Sequence, residues 1–275
     1  MRTWKFAKGH GTQNDFVIVT DRHGMVRLDD DDVRFLCDRR AGIGGDGLLR
    51  VTMASSIEDH EDEPERWFMD YRNADGSIAE MCGNGLRVFV RYLLEEGLVS
   101  GREIEVMTRA GLRRAWPQHD GTIRTLLGEV RLGDEPVQVS RGEGRWAATT
   151  VDVGNPHAVC FVDGADELSA LDLTHEPVWE PAQAFPEGTN IEFVHVIDEH
   201  HIAMRVHERG AGETMSCGTG TVAAAAAHAR RAGLGGGEVV VDVPGGRLVV
   251  ELDGSQAYLT GPAVVVGRGE VVMPD

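Results

Sequence analysis

An internal repeat constrains this chain more than any other feature. The first half contains Asn73-Ala-Asp-Gly-Ser-Ile-Ala-Glu-Met-Cys82-Gly-Asn-Gly-Leu-Arg and the second Glu208-Arg-Gly-Ala-Gly-Glu-Thr-Met-Ser-Cys217-Gly-Thr-Gly-Thr-Val, with the cysteines 135 residues apart in a chain of 275. A second pair of segments, Gly11-Thr-Gln-Asn14-Asp-Phe-Val-Ile-Val-Thr-Asp21 and Gly154-Asn155-Pro-His-Ala-Val-Cys-Phe-Val-Asp163, precedes them in the same order. A third, weaker pair sets Gly44-Gly-Asp46 against Gly188-Thr-Asn190. Such a duplication calls for two homologous lobes, and the chain is long enough for each to bury a core. The boundary is expected near Trp116-Pro-Gln-His-Asp-Gly121, with residues 1–117 as the N-terminal lobe, 118–262 as the C-terminal lobe and 263–275 returning to the first.

Most segments between these landmarks are short apolar runs bounded by Gly, Pro or Asp, as in Phe16 to Val19, Glu103 to Met107, Ala158 to Val162 and Glu238 to Val243. They read as strands. Leu86 to Leu94 and Val222 to Ala227, which follow the two cysteines, are apolar around most of a helical circumference, and such helices are normally buried. The expected class is α+β: two homologous lobes, each a curved mixed sheet or barrel wrapped around a central buried helix, with the active site in the cleft between them. Asp29 to Arg40 has an acidic first turn and suits a surface helix. Glu58 to Glu65 reads as a solvated acidic loop.

Each Cys-Gly-x-Gly run leads directly into a helix, so its thiol sits at a helix N-terminus among amides able to hold an anion. A carboxylate bound there would lie beside the sulfur, and fixed donors would spread the charge that develops as its α-carbon loses a proton. A helix-end interaction of about 1–2 kcal/mol would lower a thiol pKa by roughly one unit from about 8.5, near the range that suits general acid–base catalysis. Two such thiols at one site resist joint ionisation. One thiolate and one thiol can then invert a stereocentre, the first removing a proton from one face and the second delivering one to the other. Cys37 and Cys160 lack glycine-rich flanks and read as packing residues.

Composition narrows the field further. A net charge of −18 repels phosphate backbones and anionic membranes, so neither nucleic acid nor membrane is an expected partner. No stretch has the length of a signal peptide or membrane span, and the expected location is cytoplasmic. Lys5 and Lys8 are the only lysines, and neither lies in the apolar setting that a pyridoxal phosphate Schiff base requires. No cofactor is expected. Metal ligands at zinc spacing are missing from the sequence, and Gly42-Ile-Gly-Gly-Asp-Gly47 fits a dinucleotide fingerprint only on paper, because it follows a helical segment instead of a strand.

The chain resembles the diaminopimelate epimerases over essentially its whole length. The resemblance is carried by Gly11-Thr-Gln-Asn14-Asp-Phe, Gly42-Ile-Gly-Gly-Asp-Gly-Leu-Leu49, Asn73-Ala-Asp-Gly-Ser, Met81-Cys-Gly-Asn-Gly85, Gly154-Asn-Pro-His157, Asn190, Glu208-Arg-Gly-Ala-Gly-Glu-Thr and Cys217-Gly-Thr-Gly, and looks most like the actinobacterial branch. It implies interconversion of LL- and meso-2,6-diaminopimelate without pyridoxal phosphate, metal or nucleotide, in lysine and peptidoglycan precursor biosynthesis, by a homodimer. It also implies that Cys82 and Cys217 exchange the proton, that Gly83, Asn84, Gly218 and Thr219 hold the reacting carboxylate, and that Asn14, Asn73, Asn155, Asn190, Glu208 and Arg209 contact substrate. His157 and Glu208 would tune the thiols. Many family members carry a substrate-contacting glutamine where this sequence has Gly47. The nearest alternative is a proline racemase or hydroxyproline epimerase, and a more distant one is a redox-sensing binding protein.

Overall fold

The computed structural model describes residues 2–58 and 63–274. The chain divides into two compact units, Met1–Thr125 with Pro262–Asp275, and Leu126–Gly261. The first begins with β1 (Arg2–Gly11), β2 (Asn14–Thr20), α1 (Asp30–Cys37), β3 (Gly47–Met53), β4 (Trp67–Asn73), α2 (Gly83–Glu95), β5 (Ile104–Thr108) and β6 (Gly111–Pro117). Strand β7 (Ile123–Glu129) runs across the division, its first residues paired with β6. The second unit holds β8 (Arg131–Leu132), β9 (Val137–Arg141), β10 (Gly144–Asp152), β11 (Pro156–Val162), α3 (Ala165–Ala170), β12 (Val178–Glu180), β13 (Asn190–Asp198), β14 (His201–Glu208), β15 (Gly212–Thr214), α4 (Gly218–Ala232), β16 (Gly237–Val243), β17 (Gly246–Asp253) and β18 (Gln256–Gly261). Strand β19 (Val264–Met273) belongs to the first unit, where it lies antiparallel on β1.

Strand pairing displays the duplication. In the first unit β1 is antiparallel to β2, β2 parallel to β3, β3 antiparallel to β4, β4 parallel to β5 and β5 antiparallel to β6. The same succession runs through β10, β11, β13, β14, β16 and β17. Parallel neighbours need a crossover, and α1 and α2 supply it in one unit as α3 and α4 do in the other. The expected α+β architecture, a curved mixed sheet around a buried helix twice over, is therefore present.

Helix α2 packs against β1 to β4 and β19, and α4 against β10, β11, β13, β14 and β16 to β18. A sheet that touches one helix through so many strands has to curve around it. Leu86, Val88, Phe89, Val90 and Leu93 of α2 are fully buried, each contributing roughly 1.5–3 kcal/mol relative to exposure. In α4 the run Ala223 to Ala227 keeps the helix surface thin, and the strands β16 to β18 that pack on it bury Val241, Leu248, Val250 and Leu259. Gly233, left-handed at φ 70°, ends α4 by donating its N–H to earlier carbonyls.

Helix α1 has the expected acidic start, capped by Asp29, which accepts from the Asp32 amide at 2.9 Å. Its other face is buried through Val33, Leu36 and Cys37. The acidic segment Glu58 to Glu65 lies partly outside the described residues. Of its described members Glu58 and Glu65 are exposed, and Glu63 pairs with Arg66.

Candidate active site

Strand register gathers the singled-out residues at one end of each unit. In the first, β2 begins at Asn14, β3 begins at Gly47 and β4 ends at Asn73, with Phe16 opposite Gly47 and Gly47 opposite Asn73. In the second, Asn155 precedes β11, β13 begins at Asn190 and β14 ends at Glu208, with His157 opposite Asn190. Helices α2 and α4 start at these same ends. Residues far apart in sequence thus share a rim because the strands that carry them are in matched register.

Both cysteines are helix caps. Cys82 Sγ accepts from the Gly85 amide at 3.3 Å, and Cys217 Sγ from the Gly220 amide at 3.4 Å. The glycines ease this close return, because a Cβ on Gly85 would lie 3.3 Å from Cys82 Cβ and one on Gly220 3.3 Å from Cys217 Sγ. Gly83 and Asn84, and Gly218 and Thr219, are the first residues of α2 and α4 after the cysteines, the part of a helix where a carboxylate would benefit from backbone donors and the helix dipole.

Neutral amide groups lie beside Cys82. Its Sγ lies 3.8 Å from Asn14 Oδ1, which also accepts from Asn84 Nδ2 at 3.2 Å. Asn14 Nδ2 donates to Asp46 at 2.8 Å. The turn before Asn14 places Thr12 and Gln13 at φ 50° and 61°, a left-handed conformation that costs of order 1–3 kcal/mol per non-glycine residue and concentrates at functional sites.

Around Cys217 the partners are ionisable. His157 Nδ1 lies 2.7 Å from Glu192 Oε1 and its Nε2 3.0 Å from Asn155 Oδ1, with both His157 and Glu192 fully buried. Glu208 accepts from the Thr214 hydroxyl. Burial pushes the Glu208 carboxyl up, and hydrogen bonds from Thr214 and Cys217 oppose the rise. Burial, followed by the nearby Glu208 and Glu192 carboxylates, pushes the Cys217 thiol well above its ordinary value, against the opposing bonds of Thr219 and Gly220. The lowering expected of a helix-end thiol is overridden here, because desolvation and two anions outweigh the helix dipole.

Other candidate side chains have partners other than the cysteines. Asn73 Nδ2 donates to Ser77 Oγ at 3.0 Å. Asn190 Oδ1 accepts from the Arg209 amide at 3.0 Å, while the Arg209 guanidinium extends to the Glu187 carbonyl at 3.2 Å. Arg209 is exposed and Glu208 half-buried. At Gly47 a Cβ would meet the Arg72 carbonyl at 2.6 Å and Tyr71 Cε2 at 2.7 Å, so the place of a glutamine is filled by Tyr71. Burial raises the Cys37 thiol to about 12 and raises Cys160 as well, in keeping with packing roles. Two charged residues at these ends, Glu192 and Arg87, escape a reading of the motifs. Their only mark in the sequence is a charge inside an otherwise apolar buried run.

Among the described residues no group of three or more His, Cys, Asp or Glu is arranged to hold a metal ion, and no helix is long and apolar enough to cross a membrane.

Solved structures define the class of fold. A hydroxyproline epimerase from Agrobacterium vitis superposes with a TM-score of 0.70 at 15% identity, over 100% of this chain and 94% of that one. A phenazine biosynthesis protein of the PhzF family from Bacillus anthracis gives 0.72 at 17%, over 99% and 100%. At such identities the likeness is one of fold: a duplicated lobe with a buried helix in each copy. Sequence relatives narrow this to a family. The family model described as diaminopimelate epimerase matches residues 6–133 and 149–266. Diaminopimelate epimerases from Streptomyces coelicolor and Corynebacterium glutamicum are 49% and 45% identical, over 96% and 98% of this chain and 94% and 98% of theirs. The chain belongs to the diaminopimelate epimerase family and is an isomerase.

Proposed function

We propose that the chain epimerises LL-2,6-diaminopimelate to the meso isomer by a two-base reaction in which Cys82 and Cys217 work on opposite faces of one α-carbon. The observation that carries this reading is the pair of cap thiols, each bonded to the amide of the glycine three residues on, in two lobes of the same strand order. In the forward direction the Cys82 thiolate takes the α-proton and the Cys217 thiol delivers one to the opposite face; reversal swaps the roles. The amides of Gly83, Asn84, Gly218 and Thr219 hold the reacting carboxylate and stabilise the enolate-like charge. Asn14, Asn73, Asn155, Asn190, Glu208 and Arg209 bind the remainder of the substrate, whose distal ammonium and carboxylate need an acceptor and a donor of opposite sign. His157 and Glu208 set the protonation of Cys217.

No pyridoxal phosphate or metal enters this scheme, since the thiols themselves carry the proton. The reading extends to a cytoplasmic homodimer in lysine and peptidoglycan precursor synthesis, on the strength of the family. Incubation with diaminopimelate and, separately, with proline in deuterated water tests it. Deuterium entering the α-carbon of diaminopimelate alone is the expected result, and label in proline alone would reject the assignment.

A further inference from the structure

Each unit sets a hydroxyl against the side chain that ends its rim strand, and the two hydroxyls are used in opposite senses. In the first, Asn73 ends β4, and the returning segment brings Ser77 back to it. The Asn73 amide donates to the Ser77 carbonyl at 2.9 Å and Asn73 Nδ2 to Ser77 Oγ at 3.0 Å. Ser77 Oγ sends its own proton to Asp75 at 2.6 Å, so it meets Asn73 as an acceptor. In the second, Glu208 ends β14, and β15 returns antiparallel to it with Glu208 opposite Gly212 and Val206 opposite Thr214. Here the Thr214 hydroxyl gives its proton to Glu208 Oε1. The two hydroxyls stand at different places in the repeat, Ser77 before Ile78-Ala-Glu-Met-Cys82 and Thr214 before Met215-Ser-Cys217. The contact therefore does not follow from the shared cysteine motif.

A hydroxyl that donates to a carboxyl oxygen favours the ionised form. At Glu208 that support opposes burial, which favours the protonated form. The nearby cations have other partners: Arg205 of β14 pairs with Glu213 of β15 at 2.7 Å, and the Arg209 guanidinium reaches the Glu187 carbonyl at 3.2 Å. Glu192 of β13 is bonded to His157 of β11 at 2.7 Å. Asp242 of β16 takes His201 and Arg247 at 2.8 and 2.7 Å. His207 precedes Glu208 on β14, and successive strand residues point to opposite faces. Cys217, at the start of α4, donates to the Glu208 carboxyl as Thr214 does.

We propose that Thr214 is a positioning residue for Cys217: its hydroxyl holds Glu208 as a carboxylate that accepts from the Cys217 thiol, so that this sulfur keeps the proton it delivers. The proposal rests on the reading of Glu208 as the group that tunes Cys217, but its test needs no substrate. Carboxyl carbon resonances of glutamate-labelled protein, with that of Glu208 assigned by its loss in Glu208→Gln, give the Glu208 midpoint. The pH dependence of iodoacetamide alkylation, read at each cysteine by mass spectrometry, gives those of Cys82 and Cys217. Thr214→Val, which keeps the branched shape without the hydroxyl, raises the Glu208 midpoint by about one unit. A protonated Glu208 no longer repels the thiolate, so the Cys217 midpoint falls while that of Cys82 stays in place. Thr214→Ser retains the wild-type midpoints, and in a Glu208→Gln background Thr214→Val leaves Cys217 unmoved. A Glu208 midpoint unchanged in Thr214→Val, equal shifts in Thr214→Ser, or a Cys217 shift that persists without Glu208 overturns the proposal. Should Thr214→Val not fold, a Glu208 found protonated at neutral pH in the unaltered protein overturns it equally. Absence of deuterium exchange into diaminopimelate would instead sink the functional reading and leave these midpoints standing.

Discussion

In the first unit the register positions behind the capping cysteine are held by Phe16 and Leu49, and α2 carries Arg87; in the second the corresponding positions hold His157, Glu192 and Val222. The equivalence is geometric as well as sequential. A Cβ on Gly85 would meet Leu49 Cδ2 at 3.3 Å, and a Cβ on Gly220 would meet Glu192 Oε1 at 2.5 Å. Duplication thus preserved the strand order, the cap and the glycines while the polarity of these positions changed, with Arg87 buried in one unit and His157 with Glu192 buried in the other. Identical thiols in identical backbone frames need not share a protonation state. In the proposed two-thiol reaction mutual repulsion would disfavour two thiolates without choosing between them; the surroundings of each sulfur would make the choice.

The largest effect is expected at the thiols themselves. Cys82→Ala and Cys217→Ala should each lower kcat by about 10²–10⁴, the usual worth of a positioned acid or base, read as label uptake in deuterated water. The proposed inversion needs both partners, so a variant of Cys82 or Cys217 that retained near-normal turnover would break the idea of a divided pair.

Next comes the buried pair behind Cys217. His157→Phe or Glu192→Leu alone leaves one ionisable group buried without its partner, and each should lose about 3–5 kcal/mol in chemical denaturation. The double variant, which copies the apolar arrangement of the first unit, should recover most of that loss, because well-packed apolar replacements of a buried pair are often neutral or stabilising. It should also lower the alkylation midpoint of Cys217. Additive losses in the double variant would show that the two lobes are not interchangeable at these positions.

A smaller, pH-read effect follows from Glu208. Since burial and the adjacent carboxylates raise Cys217, its thiol stays protonated through neutral pH and ionises only above the ordinary range near about 8.5. The sign for stability is that the contribution of the protonated, buried thiol is complete below the unfolded-state pKa and is lost as pH rises through the folded one. Glu208→Gln removes an anion and should move the Cys217 midpoint downward while that of Cys82 stays in place. An upward shift would mean that a protonated Glu208 acts on Cys217 mainly as a hydrogen-bond donor to its thiolate.

Much of this was legible in the sequence because it is written locally. Glycines after each cysteine specify the cap, the all-round apolar helices specify burial, and short runs between turn residues specify strands. Glu192 and Arg87 were not legible for the opposite reason. Glu192 sits in Asn190-Ile-Glu-Phe-Val194, and Arg87 among Leu86, Val88 and Phe89, where pattern alone marks an apolar core and only the partner strand or loop reveals what the charge meets. The rise of the Cys217 thiol is hidden for the same reason, since a helix end is visible in one segment while burial and the two carboxylates come with β13 and β14.

Gly47 gives the finest contrast between the lobes. Its register counterpart is Asn190, whose side chain is accommodated, whereas Tyr71 closes the space beside Gly47; the residue at the position of Tyr71 in the second unit is Val206. Gly47→Gln, which installs the glutamine of other family members, should therefore lose about 1–3 kcal/mol by overpacking. Tyr71→Val loses the edge-on contact with Phe16, whose ring centroid lies 5.9 Å away, yet it opens the space that a residue at 47 requires. The two changes together should lose less than their separate effects imply, with a coupling of about 0.5–3 kcal/mol read in a denaturation cycle. Strict additivity would mean that the Arg72 carbonyl, 2.6 Å from the added carbon, rather than the Tyr71 ring, is what keeps this position a glycine.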